Sequence, residues 1–215
     1  MNHPPDRARG VRVWGVAAIL AIVAAQVATH LIDVGAYGLR NRAFDSGLDS
    51  SVFGVASSLL VVIAAVAGIA AGLTSRQRWP GICGAALAAY AVLSALGVPQ
   101  TSGGLLLVLP VLLLILVGLW LSAREGPEPV ARLLRIAVGL LVLSFLLHVA
   151  VPVGLRHLGI ADGSWPYEIK VAVKMASEIA GFGLVAVAFA AIVSDNVVGR
   201  APRIAAALRG SSTAG

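Results

Sequence analysis

Cysteine occurs once in 215 residues, so the chain can form no internal disulfide and has no Cys-x-x-Cys redox or zinc pair. Cys83 lies in an Ala- and Gly-rich run, where a buried and inert thiol is expected. Charge is scarce as well. Only 12% of residues are Asp, Glu, Lys or Arg against 59% hydrophobic, too little polar surface to keep a globular domain in water. There is no Gly-x-Ser-x-Gly elbow, no His-Glu-x-x-His and no glycine loop that would cradle a phosphate. These absences remove the simplest routes to a serine hydrolase, a zinc protease or a nucleotide enzyme. The reading leans away from an enzyme, with catalytic residues unknown.

Apolar sequence in long blocks is what the chain has in abundance. Six runs, near 13–30, 52–73, 79–98, 104–121, 133–151 and 171–193, are bounded by charge, proline or glycine. Each is close to the roughly 20 residues a helix needs to cross a hydrocarbon core of about 30 Å. The expected fold class is all-α, a polytopic six-helix transmembrane bundle. Residues 1–12 read as a basic N-terminus, 13–194 as the membrane domain and 195–215 as a basic, flexible tail. The first run follows Arg7, Arg9 and Arg12 and would also suit a signal peptide. However, Ala25-Gln26-Val27-Ala28 offers no clear small-x-small cleavage site, so the run reads as a span.

Basic residues set the expected orientation. With a cytoplasmic N-terminus, eleven of the sixteen Lys and Arg fall in inner segments, and five (Arg40, Arg42, Arg156, Lys170 and Lys174) in outer ones. That asymmetry is expected of a multi-pass protein of the cell membrane with both termini cytoplasmic. The formal charge of +6 is spread in short clusters at the ends of apolar runs, which fits lipid headgroups and not nucleic acid. The lipid bilayer is one expected partner. Another membrane protein is a second, because Gly68-x-x-x-Gly72 with Ala64, and Ala17, Ala21 and Ala25 at intervals of four, make small-residue faces on which helices approach closely. Pro110 predicts a kink in the fourth run. The linker Arg124-Glu125-Gly126-Pro127-Glu128-Pro129 predicts a stiff break between a four-helix and a two-helix half.

Ionisable side chains inside the runs are different in kind. At the bilayer centre each costs about 2.5–3.5 kcal/mol on insertion scales, so such residues are turned inward, paired, and treated as a site by default. Gln26, His30 and Asp33 share a face of the first run, Ser144 and His148 one of the fifth, and Lys170, Lys174 and Glu178 one of the sixth. Helix parity places all three stripes toward the outer side. At about 1.5 Å of rise per residue, Glu178 lies roughly 10 Å inside the boundary and needs a proton or a cationic partner. The candidate ligand- or proton-binding residues are therefore Glu178, His30, His148, Asp33 and Lys174. They would bind or pass a proton, a cation or a small polar ligand, as a transporter does. Two other readings stay open: interfacial residues with a self-satisfied Lys174–Glu178 pair, and an accessory or scaffold subunit of a membrane complex. No cofactor is predicted, although His30, Asp33, His148 and Glu178 have the chemistry of a zinc set, and two histidines could ligate a haem.

His30-Leu31-Ile32-Asp33-Val34-Gly35, Phe44-Asp45, Ser51-Val52-Phe53-Gly54 and Lys174-Met175-Ala176-Ser177-Glu178-Ile179-Ala180-Gly181 resemble segments of multi-pass actinobacterial membrane proteins of unknown function. The resemblance touches the first, second and sixth runs and implies a six-helix fold without a known activity. Those proteins often carry an acid and a His-Glu segment in the third span. Here the corresponding stretch, Leu93-Ser94-Ala95-Leu96-Gly97, has neither, which weakens a metal-dependent reading.

Overall fold

In a computed structural model the chain is described over residues 4–37, 51–75, 77–98, 104–160 and 164–211, and its regular elements there are all helical. Helix α1 (Pro4–Ile32) passes into a π-helical turn (Asp33–Tyr37); α2 is Val52–Thr74, α3 Trp79–Ala95, α4 Gly104–Glu125, α5 Glu128–His157 and α6 Trp165–Ser211. The helix ends follow local chemistry. Ser51 caps α2, its hydroxyl accepting from the Gly54 N–H at 3.1 Å. Pro80 occupies the first turn of α3, where its missing N–H costs nothing. The Pro127 carbonyl accepts from the N–H groups of Val130 and Ala131, which starts α5 just after α4 ends.

Among the described residues five helices are long and apolar enough to cross a membrane, and α3 is an apolar helix of 17 residues, about 26 Å. The chain is a multi-pass integral membrane protein. Helix α4 runs unbroken through Pro110. Helix α6, at 47 residues, extends well beyond the apolar run near its start and continues through the basic stretch to Ser211.

From α2 onward neighbours in sequence pack side by side, whereas α1 packs on α6, and glycine sets how closely. Without a hydrophobic driving force between helices in lipid, close van der Waals contact over small residues must hold them. A Cβ on Gly68 would stand 2.9 Å from the Cα of Gly84, and one on Gly72 2.5 Å from the Cα of Gly81. The Gly68-x-x-x-Gly72 face is therefore used inside the molecule, to seat α3. On α6, Gly181 receives Leu141 of α5 and Gly183 receives Ile19 of α1.

Helix α6 is the hub. It packs against α1, α2 and α5, while α2, α3, α4 and α5 follow one another around it. Its Val185 and Phe189 are fully buried, and its Phe182 stacks on Tyr90 of α3 at 6.0 Å. The linker at Gly126 and Pro127 thus does not divide the bundle into two packing halves.

The outward faces differ between helices. Helix α2 presents Val55, Leu59, Val62, Ile63 and Val66, and α4 presents Leu106, Leu107, Leu113, Leu114 and Val117, the large aliphatics suited to lipid. Helix α1 presents mostly alanine between Trp14 and Ile32: Ala17, Ala21, Ala24, Ala25 and Ala28 are exposed.

Candidate functional site

The buried stripe of α1 changes character along its length. It begins apolar with Ile19 and becomes polar at Gln26, His30 and Asp33, which follow at seven, four and three residues on one face. Gln26 and His30 are 0% exposed and Asp33 is 3% exposed. Opposite them, the first turn of α6 contributes Glu168, also 3% exposed. His30 Nε2 and Glu168 Oε2 stand 3.3 Å apart. That is ion-pair distance, somewhat longer than an optimal charge-assisted hydrogen bond.

Asp33 opens the π-helical turn, and the ring of Trp165 lies over Gly35, 3.7 Å from where a Cβ would stand. Two buried oxygens at this end, Asp33 Oδ2 and Ser164 Oγ, meet no hydrogen-bond partner among the described residues. Farther along the same helices the interface becomes apolar. Phe53, Met175 and Ile179 form a buried cluster there, flanked by Ile22, Val23 and Leu60. His30, Asp33 and Glu168 are thus almost completely sealed from solvent.

A second polar cluster lies on another face of α6. Lys174 Nζ is 2.8 Å from Glu178 Oε2, and the Ser57 hydroxyl of α2 donates to Glu178 Oε1 at 2.9 Å. Both carboxylate oxygens are engaged, and the group ties α2 to α6. Lys174 and Glu178 are 24% and 19% exposed, far less sealed than His30 and Glu168.

The five residues expected to form one cluster are thus distributed over three places. His30 and Asp33 belong to the α1–α6 interface, Lys174 and Glu178 to the α2–α6 interface. Helix α5 buries Ser144 but leaves His148, one turn on, exposed. The set His30, Asp33, His148 and Glu178 is not assembled around a common point. Among the described residues no three His, Cys, Asp or Glu side chains are placed to hold a metal ion.

Comparison with known protein families, curated proteins and solved structures finds no match. The site must be read from its own chemistry.

Glu168 is the residue that reasoning from sequence missed. It precedes the sixth apolar run and reads there as a loop acid. A usable signal was present: Glu168 stands seven residues before Met175 and eleven before Ile179. Extending the helix upstream to the proline of Trp165-Pro166 therefore places it on the same buried face.

Proposed function

We propose that this membrane protein binds a proton at the His30–Glu168 pair, with Asp33 as the neighbouring acid, and that Lys174, Glu178 and Ser57 hold α2 to α6. The observation that carries the reading is a histidine and a carboxylate, 0% and 3% exposed, facing each other at 3.3 Å between two membrane helices. Buried charge in such a setting is expensive and is usually kept for function. Histidine is the side chain whose ordinary range puts its charge change near neutral pH. The buried apolar cluster of Phe53, Met175 and Ile179 favours binding over passage, with Gln26 the next buried polar side chain inward on α1.

The test is a titration of histidine side chains by NMR in nanodiscs, from about pH 4 to about pH 9, on the wild type and Glu168→Gln. Removing the facing carboxylate is expected to change how the His30 signals respond to pH and to leave those of exposed His148 unchanged. A His30 that does not titrate, or that titrates identically in both proteins, ends the proposal.

A second reading, an accessory subunit of a membrane complex, is favoured by the alanine face of α1. Small residues directed away from the bundle invite another helix, whereas the aliphatic faces of α2 and α4 suit lipid. Mild detergent extraction should then recover a stoichiometric partner with the wild type and lose it with Ala21→Phe. A wild-type protein that stays alone under those conditions rules it out.

A further inference from the structure

We propose that the bundle opens, at the end where α6 begins, into a water-filled vestibule based on Lys174, Glu178 and Ser57, and that this base binds a small zwitterion of the amino-acid class. The proposal goes beyond proton binding at His30. It uses another face of α6 and shares no residue with the His30–Glu168 pair.

Depth is the first observation. Trp165, half exposed at the start of α6, marks the headgroup level, and Glu178 lies thirteen residues farther on, about 20 Å along the axis. That is well inside a hydrocarbon core of roughly 30 Å. A charged pair so deep is expected to be sealed, yet Lys174 and Glu178 keep 24% and 19% of their side-chain surface exposed. The face that carries them is an inward one. It continues at intervals of three and four through Gly181, Val185, Phe189 and Ile192, where Leu141 of α5 meets Gly181, Phe189 meets Gly68 of α2, and Val185 is fully buried. Charges on such a face that retain open surface line water-filled cavities and mark the paths of polar solutes.

Helix lengths make the opening. Gly68 meets Gly84 and Gly72 meets Gly81, so α2 and α3 run antiparallel, and the same register brings Ser57 level with Leu96, which caps the short α3. Gly118 of α4 meets Cys83, which brings Gly104, the first residue of α4, to nearly the same level. The wall that α3 supplies deeper down, where Tyr90 stacks on Phe182, therefore stops at Ser57 and Glu178. Helices α2, α5 and α6 continue past that level. The short link from His157 to Trp165 makes α5 antiparallel to α6, and Leu141 against Gly181 then sets Ser144 level with Glu178 and His148 with Lys174. A buried Ser144 followed one turn on by an exposed His148 is what a cavity widening toward that end produces.

The base offers both signs of charge side by side. Lys174 Nζ is 2.8 Å from Glu178 Oε2, and the Ser57 hydroxyl holds Oε1 at 2.9 Å. An ammonium has three donors, and among the described residues only Glu178 accepts from Lys174, so donors are left for a ligand carboxylate. Each Glu178 oxygen has a further lone pair for a ligand ammonium. A zwitterion adds no net charge to a neutral pair at this depth, whereas a lone anion or cation leaves one charge in excess, which is costly there.

The experiment uses the full chain in nanodiscs. In a Cys83→Ala, Glu178→Gln background, Lys174→Cys should react with a membrane-impermeant sulfonate thiol reagent, and Val185→Cys, deeper on the same face, should not. On the unsubstituted chain, glycine, β-alanine and γ-aminobutyrate are titrated against the unfolding temperature, with acetate and methylammonium as single-charge probes. At least one zwitterion should raise Tm by a few degrees and saturate, both single-charge probes should leave it unmoved, and Lys174→Met with Glu178→Met should lose the shift. An unreactive Cys at 174, or equal reaction at 174 and 185, overturns the vestibule. No shift with any of the three zwitterions, or the same shift with acetate or methylammonium, overturns the ligand. Neither result bears on His30, whose titration stands or falls by itself.

Discussion

Glu168→Ala, made alone, should lower the stability of the folded bundle by about 2–5 kcal/mol, measured by reversible denaturation in mixed micelles. The substitution leaves His30 fully buried and facing a void where its counter-ion stood. The double variant His30→Leu with Glu168→Leu should recover most or all of the loss. Two aliphatic side chains remove the desolvation cost along with the attraction, and such replacements of buried pairs are often neutral or stabilising. This separation of stability from function is the useful part. A double variant that is stable but binds no proton means the pair is retained for what it does. Glu168→Ala within about 0.5 kcal/mol of the wild type would mean that the carboxylate is not engaged by His30.

Gly84→Val should be the most damaging change at any packing position. A Cβ at Gly84 collides with the backbone nitrogen of Ile69 and stands 2.7 Å from the Ala65 carbonyl oxygen. Backbone cannot rotate aside as a side chain does, so α2 and α3 must separate along the whole Gly68–Gly84 and Gly72–Gly81 seam. Overpacking of ordinary cores costs about 1–3 kcal/mol, and here the upper end or more is expected, seen as a drop in Tm in detergent. Gly139→Ala is the control. A Cβ there meets nothing within 4 Å, so the change should be neutral or gain up to about 1 kcal/mol from helix propensity. Equal losses for the two variants would refute the close-packed seam.

The helices were legible because lipid imposes a strict rule: a buried backbone must satisfy itself, and an apolar run of the right length has few alternatives. Val52–Thr74 and Trp79–Ala95 begin where the apolar runs begin, at Ser51 and at the Trp79-Pro80 pair. Helix ends inside polar sequence were less visible. Helix α6 starts at Trp165, not near Val171, and that difference carries Glu168 into the bundle. Which polar stripes face each other depends on azimuth around α6, and periodicity on one helix says nothing about its neighbour. His148 illustrates this. It continues the face of Ser144, which is buried, yet is itself exposed. The Lys174–Glu178 pair was readable from its spacing of four, whereas Ser57, 121 residues from Glu178, was not.

The hub position of α6 sets the order in which the molecule can be built. Helix α1 is synthesised early, but its main packing partner begins at Trp165. At about 5–20 residues per second the ribosome needs on the order of ten seconds or more to bridge that interval. Until then Gln26, His30 and Asp33 lack the surface that buries them, and the alanine face is the least unsuitable part of α1 to show to lipid. The nascent chain therefore waits with an unfinished helix in the membrane, and the arrival of α6 completes the packing of α1, α2 and α5 together.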